Sequence, residues 1–340
     1  MMKKPDKERV LKWIPAVLTA VMIFVESGYI FFDTFISVRS RKPKNLKKVK
    51  RKDIPEKKRF QLRMMKINHP RSCGFEKEYL AGKMWCFQQD MQDLYIKSED
   101  GLRLHAAWFP AEDAKRTLVL SHGYKGTSFG EFGFNARFLH EHGCNLLFVD
   151  QRCCGESEGR YITFGAKEQK DIVRWSREAV KLDNGHALPV YLYGESMGAS
   201  AVLMASGRNL PKEVKGIISD CGFVSMKSQL SDLARYWFFL RWIPLHLLLV
   251  DLFCRAIADF GMAEADTRPA LAANRRPVLL FHGSDDTFVY PKNLQMICDA
   301  CRGPKEMVMV EGARHTGSAY KQTDMYRRKL LDFFERYDAS

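Results

Sequence analysis

The sequence predicts an α/β protein: a mostly parallel sheet flanked by helices, with a helical lid insert and an N-terminal membrane helix. Three observations predict it. Short apolar runs alternate with helical-period stretches through the middle and end of the chain. One long oily insert, residues 224–276, breaks that alternation. An apolar run at residues 13–38 stands in front of a basic block.

The apolar run reads WIPAVLTAVMIFVESGYIFFDTFISV. At about 1.5 Å per helical residue it is long enough to cross a bilayer. Its clean part ends at Val25, and Glu26 and Asp33 interrupt the rest. No small-residue cleavage site follows, so residues 1–38 are expected to form an uncleaved anchor. An amphipathic helix lying on the membrane surface is the competing reading. Residues 39–66 form a basic linker, and the folded domain is expected from 67 to 340. Lys and Arg are denser after the apolar run than before it, which predicts a single-pass protein with its domain in the cytoplasm.

In the domain, Tyr95–Lys97 and Leu102–Trp108 flank Glu99-Asp100-Gly101, a hairpin pattern. Five short apolar segments then read as buried strands: 117–121, 145–149, 190–193, 216–219 and 278–281. Helical-period stretches at 131–142, 167–181 and 197–207 lie between them. The insert contains ARYWFFLRWIPLHLLLVDLF and fits two apolar helices broken near Pro244. Its Trp237, Phe238, Phe239 and Trp242 are candidate substrate-binding residues, since so many aromatic groups do not face water together.

The net charge of +14 suggests nucleic acid at first sight. Residues 1–66, however, hold 19 Lys/Arg against 6 Asp/Glu, a surplus of 13, which leaves one charge for the other 274 residues. A basic block beside an apolar run fits a membrane surface and not a nucleic-acid groove. The nine cysteines are scattered and odd in number, as expected of reduced thiols in a cytoplasmic chain. Cys298 and Cys301 form a lone CxxC on a helical stretch, without the second pair that a structural metal site needs.

Two stretches match G-x-S-x-G. Gly155–Gly159 follows a loop and leads into no immediate helix. Gly194-Glu195-Ser196-Met197-Gly198 follows an apolar strand and opens a helix, which forces the serine into a tight elbow. A serine hydroxyl needs a base, and the base needs an acid to orient it. His315 follows the strand-like MVMV, and Asp285-Asp286 follow VLLFHGS. The chain order Ser…Asp…His then suits a nucleophilic hydrolase.

With SHGYKGTS, DQRCCGESEG, GESMGAS, FHGSDDTFV and ARHTGS in hand, the chain over residues 95–335 resembles the α/β-hydrolase superfamily, nearest its serine aminopeptidase (S33)/BEM46-like branch. The resemblance implies Ser196 as nucleophile, His315 as base and Asp286, rather than Asp285, as the acid. It also implies an oxyanion hole from the backbone N–H of Tyr124 and Met197, and a structural role for His122. One position departs: Cys153 stands where the pattern has glycine, which puts that loop's path in doubt. The expected activity is hydrolysis of a carboxylic ester of an apolar small-molecule or lipid acyl substrate, without metal or cofactor. A peptidase using the same triad is the alternative, and an inactive membrane-tethered binding module is the third reading. Fold alone does not separate these.

Overall fold

The structure, a computed structural model, describes residues 7–38, 74–183, 188–238 and 242–339. The expected basic linker and Phe239 lie outside the described residues. Eight strands form one sheet: β1 Gln92–Lys97, β2 Arg103–Phe109, β3 Arg116–Ser121, β4 Cys144–Val149, β5 Val190–Glu195, β6 Val214–Asp220, β7 Val278–Gly283 and β8 Lys305–Val310. Their spatial order is β1-β2-β4-β3-β5-β6-β7-β8. The β1–β2 hairpin and the β2–β4 pair are antiparallel, and every later pair is parallel. Gly101, at φ +85°, makes the expected hairpin turn, closed by Ser98 N–H donating to Leu102 O at 2.8 Å.

β3, β4, β5 and β7 are buried at every residue. They could not alternate apolar with polar, because helices cover both faces. The faces still separate by the two-residue period. Val119, Leu147, Leu192 and Leu280 point to one side. There they meet α5 Glu168–Leu182, α6 Met197–Ala205, α9 Thr267–Ala273 and α10 Lys292–Ala300. Leu118, Phe148, Tyr193 and Phe281 point to the other side, against α2 Glu76–Phe87, α4 Gly133–Glu141 and α12 Thr323–Tyr337. The chain leaves β3 toward β4 and then crosses back to β5 on the opposite side of β3. Such a switch point opens a crevice at the carboxyl ends of the strands.

A third apolar cluster lies outside the sheet. It joins Met197 to the helices of the insert: α7 Met226–Tyr236 and α8 Ile243–Ala258. Ser225 caps α7, its hydroxyl accepting Ser228 N–H at 3.1 Å. Pro244 sits in the first turn of α8, where its missing N–H costs nothing. The expected break near Pro244 is therefore the start of the second helix.

The N-terminal segment needs correction. A helix does form, α1 Lys7–Phe35, but among the described residues no helix is long and apolar enough to cross a membrane. The last third of the expected span is packed on the domain, with Phe31, Phe32 and Ile36 buried. The reason is close packing: Gly28 lies so near α8 that an added Cβ would stand 2.9 Å from Leu249 Cβ. Phe24 and His246 rings pack at 4.5 Å, Tyr29 and Phe253 at 5.5 Å. Phe31, Phe32 and Ile36 thus have protein partners in place of lipid, while Tyr29 stays partly exposed.

Candidate active site

Ser196 follows β5 and heads α6, at φ 53° and ψ −117°. A residue with a side chain pays strain in this region, and the surrounding backbone holds it there. Two glycines make the turn possible. A Cβ on Gly194 would stand 2.3 Å from Gly198 O, and one on Gly198 would stand 1.9 Å from Ser121 O. Ser196 N–H donates to Asp220 O at 2.9 Å, which ties the elbow to the neighbouring strand.

His315 Nε2 lies 2.8 Å from Ser196 Oγ, and His315 Nδ1 lies 2.7 Å from Asp286 Oδ2. The other Asp286 oxygen accepts N–H from Phe288 and Val289, both at 2.9 Å. Burial alone would raise the Asp286 carboxyl. The electrostatic interaction with His315 and hydrogen bonds from His282 and His315 instead hold it well below the usual carboxylate range. An ionised acid then fixes the His315 ring with Nδ1–H toward Asp286 and leaves Nε2 to accept from the serine. Asp285 points elsewhere, accepting from Ser284 Oγ at 3.1 Å. The three chosen side chains thus come together across 119 residues of sequence, and all three are buried.

The loop after β3 passes beside the nucleophile, so that a Cβ on Gly123 would be 3.0 Å from Ser196 Cβ. Tyr124 follows it, and Met197 opens α6. Neither amide donates to a backbone carbonyl among the described residues. His122 accepts Gln151 N–H on Nε2 at 3.1 Å and donates from Nδ1 to Gly123 O at 2.8 Å. Burial lowers its pKa, so it is a neutral strut of the loop.

Sequence reasoning missed Glu131. This carboxylate accepts Gly123 N–H at 2.5 Å and fills the space that a side chain on Gly126 would need. It sits half-buried behind the loop, with the buried Glu195 nearby, and the loss of solvent around them pushes both carboxyls upward. The only signal in the sequence was an acid nine residues after His122, which no pattern singles out. Cys221 is a second surprise: its thiol, with Asp286 and His315, forms a group whose ligand atoms lie within 4.8 Å of one another. Two of the three are already committed to the hydrogen-bonded chain, so the group belongs to this site.

Among the described residues, the hydroxyl of the other G-x-S-x-G serine meets no side-chain base. Ser157 Oγ donates to Asp150 O at 2.6 Å and accepts His105 N–H at 2.8 Å. His105 is held between Asp150 and Asp93 at 2.8 and 3.0 Å. Cys153 takes φ +69°, the left-handed turn that glycine normally supplies, so the loop path survives the substitution.

The insert's aromatic residues divide. Trp237 donates Nε1–H to Thr287 O at 3.2 Å and packs on Phe288, whose ring lies 5.0 Å from that of His315. Phe238 packs edge-on against Phe31 and Phe35. Trp242 differs from them: with left-handed backbone at the head of α8, it is turned outward and 75% exposed.

This sheet order, with a strained serine after β5, an acid after β7 and a histidine after β8, is the arrangement of the α/β-hydrolase fold, and the chain is similar to proteins of the α/β-hydrolase superfamily. More particularly, residues 112–255 match the family model described as serine aminopeptidase, S33. The chain is 25% identical over 253 residues to the uncharacterised protein YqkD of Bacillus subtilis, covering 74% of this chain and 82% of that one. It is 24% identical to the α/β-hydrolase domain-containing protein WAV2 of Arabidopsis thaliana, with 72% and 79% covered. Among solved structures, an esterase of Pyrococcus furiosus superposes with TM-score 0.57 at 20% identity, covering 73% of this chain and 92% of that one. An acylaminoacyl peptidase of Pyrococcus horikoshii superposes with TM-score 0.56 at 13% identity, covering 76% and 44%. Likeness at these identities carries the fold alone.

Proposed function

We propose that the protein is a serine hydrolase that cleaves carboxylic esters of apolar acyl groups through an acyl-enzyme on Ser196. The observation that carries this reading is the hydrogen-bonded chain Ser196–His315–Asp286 at a strained elbow, at 2.8 and 2.7 Å. Ser196 Oγ attacks the carbonyl carbon while its proton passes to His315 Nε2. The oxygen that gains charge accepts N–H from Tyr124 and Met197, at the positive end of α6. Collapse breaks the carbon–oxygen bond of the leaving group, and the departing alcohol takes the proton from His315. Water then adds to the acyl-enzyme with His315 again as base, releasing the acid and free Ser196.

An acyl substrate is favoured over a peptide by the apolar cluster above the nucleophile, which joins Met197 to Phe223, Met226, Leu230 and Val289. An aminopeptidase would need an ionised acid for the substrate amine. The upward shift of Glu131 and Glu195 works against that role for these two acids.

The test is a fluorophosphonate probe on the full chain, together with ester turnover. Wild type is expected to be labelled once, at Ser196. Ser196→Ala should lose labelling, and its turnover should fall by about 10⁴-fold or more. Asp286→Asn should lose far more turnover than Asp285→Asn. Labelling that survives Ser196→Ala, or equal effects of the two aspartate variants, overturns the assignment.

A further inference from the structure

α1 from Leu18 to Ile30 and the first half of α8 are apolar on the sides they share and largely apolar on the sides they turn outward, the exposed Arg255 and its partner Asp251 lying further along α8. The shared side of α1 runs through Phe24, Ser27, Gly28 and Phe32, against His246, Leu249 and Phe253 of α8. Its outward side exposes Leu18, Val21, Met22, Ile23, Val25 and Ile30, with Glu26 as the only charged residue from 18 to 30. The outward side of α8 exposes Leu245, Leu248 and Leu252, spaced as one stripe, and the exposed Trp242 stands at its head. A helix that is apolar all round belongs in a core or in lipid. Monomers seldom expose an apolar face built by two adjoining helices.

The same pair reaches the catalytic loop. The last carbonyls of α1 accept Tyr124 Oη–H, at 2.9 Å for Phe35 O, and Lys125 Nζ, at 3.3 Å for Thr34 O. Phe31 and Phe35 pack on Phe238 of the insert. Directly after Val38, residues 39–66 carry 14 Lys/Arg against two Asp/Glu. That charge matches anionic headgroups, each basic residue near such a surface adding to the attraction.

We infer that the joint outer face of α1 and α8 rests on an anionic lipid bilayer without crossing it, and that acyl substrate reaches Ser196 from that side. The face thus acts as the second half of the lid. The substrate route rests on the ester-hydrolase reading above; the docking does not.

The experiment uses the full chain and phosphatidylcholine vesicles with or without phosphatidylglycerol. Wild type should co-sediment with the vesicles that contain phosphatidylglycerol. Leu248→Asp/Leu252→Asp, and separately Met22→Asp/Ile23→Asp, should weaken this binding by about tenfold or more, as loss of buried leucine-sized surface predicts. Both variants should keep turnover of a short water-soluble ester and lose turnover of a long-chain ester carried in the vesicles. Leu80→Asp/Met84→Asp, on exposed apolar positions of α2, should bind as wild type. Unchanged vesicle binding in both face variants overturns the proposal. So does a dimer that the face variants split while vesicle binding persists, because the face would then join two copies of this chain. If no ester is turned over at all, the hydrolase reading falls, and the sedimentation result still decides the docking.

Discussion

At Gly123 a single N–H decides where the loop after β3 can go, and Glu131 is what holds it. The arrangement has a consequence in pH. Burial raises the Glu131 carboxyl to about 8, against roughly 4.3 for a free glutamate. The folded state therefore holds this proton more tightly than the unfolded chain does. Its stabilising effect is complete below the unfolded value and is lost as pH rises through the folded value. Above that pH a negative charge appears behind the amides assigned to the oxyanion, which disfavours the transition state. Turnover (kcat/KM) of wild type is expected to fall above pH 8. Glu131→Gln keeps an acceptor for Gly123 N–H without the ionisation, so its profile should stay flat further into alkali. Circular dichroism at each pH separates this from unfolding. An alkaline fall shared by both proteins would remove Glu131 from the explanation.

The elements divide the work between a rigid base and an apolar roof. β5 and α6 hold the nucleophile by backbone contacts so close that glycine is required at Gly194 and Gly198. The roof, α7, α8 and the end of α1, combines side-chain packing with hydrogen bonds to the domain, among them Trp237 to Thr287 O, Gln229 to Phe288 O and Ile162 N–H to Ile36 O. Packing of this kind tolerates substitution while its shape changes. Phe238→Asn should therefore leave folding nearly intact and weaken long-chain ester turnover by about tenfold, the worth of one lost aromatic contact surface. Short-chain turnover should fall much less. Equal loss on both chain lengths would make Phe238 a structural residue of the crossover.

Across the whole molecule, stability and chemistry sit at opposite ends of the sheet. The candidate site lies at the carboxyl ends of the strands. At the start of β3, the buried Arg116 grips Asp338 with Nε and Nη2, at 3.1 and 2.7 Å to one oxygen, and Tyr191 Oη–H donates to the other at 2.9 Å. This clamp fastens the end of α12 to the sheet. Removing one partner leaves a buried guanidinium without its countercharge. Asp338→Ala is expected to lower unfolding stability by about 2 kcal/mol in urea titrations, since Arg116 is buried while Asp338 is partly exposed. At temperatures where the variant stays folded, kcat should match wild type, since no triad side chain touches the clamp. A stability change below about 1 kcal/mol would show that the pair is solvated rather than structural.

The chain itself determined what local spacing can carry. Strand and helix alternation, the hairpin at Gly101, the elbow glycines around Ser196 and the order of serine, acid and histidine are properties of short segments, and short segments obey their own sterics and periodicity. Asp286 could be separated from Asp285 only through family resemblance, and tertiary structure alone shows which of them faces His315. The same holds for Glu131, whose partner Gly123 N–H is brought close by the fold of a loop and not by a repeat. The N-terminal segment marks the limit most clearly. Its apolar content read as a span, because composition records how much surface must leave water but not what covers it. Only the approach of α8 at Gly28, and the fit of Phe31, Phe32 and Ile36 into the third cluster, decided that part of this surface is covered by protein.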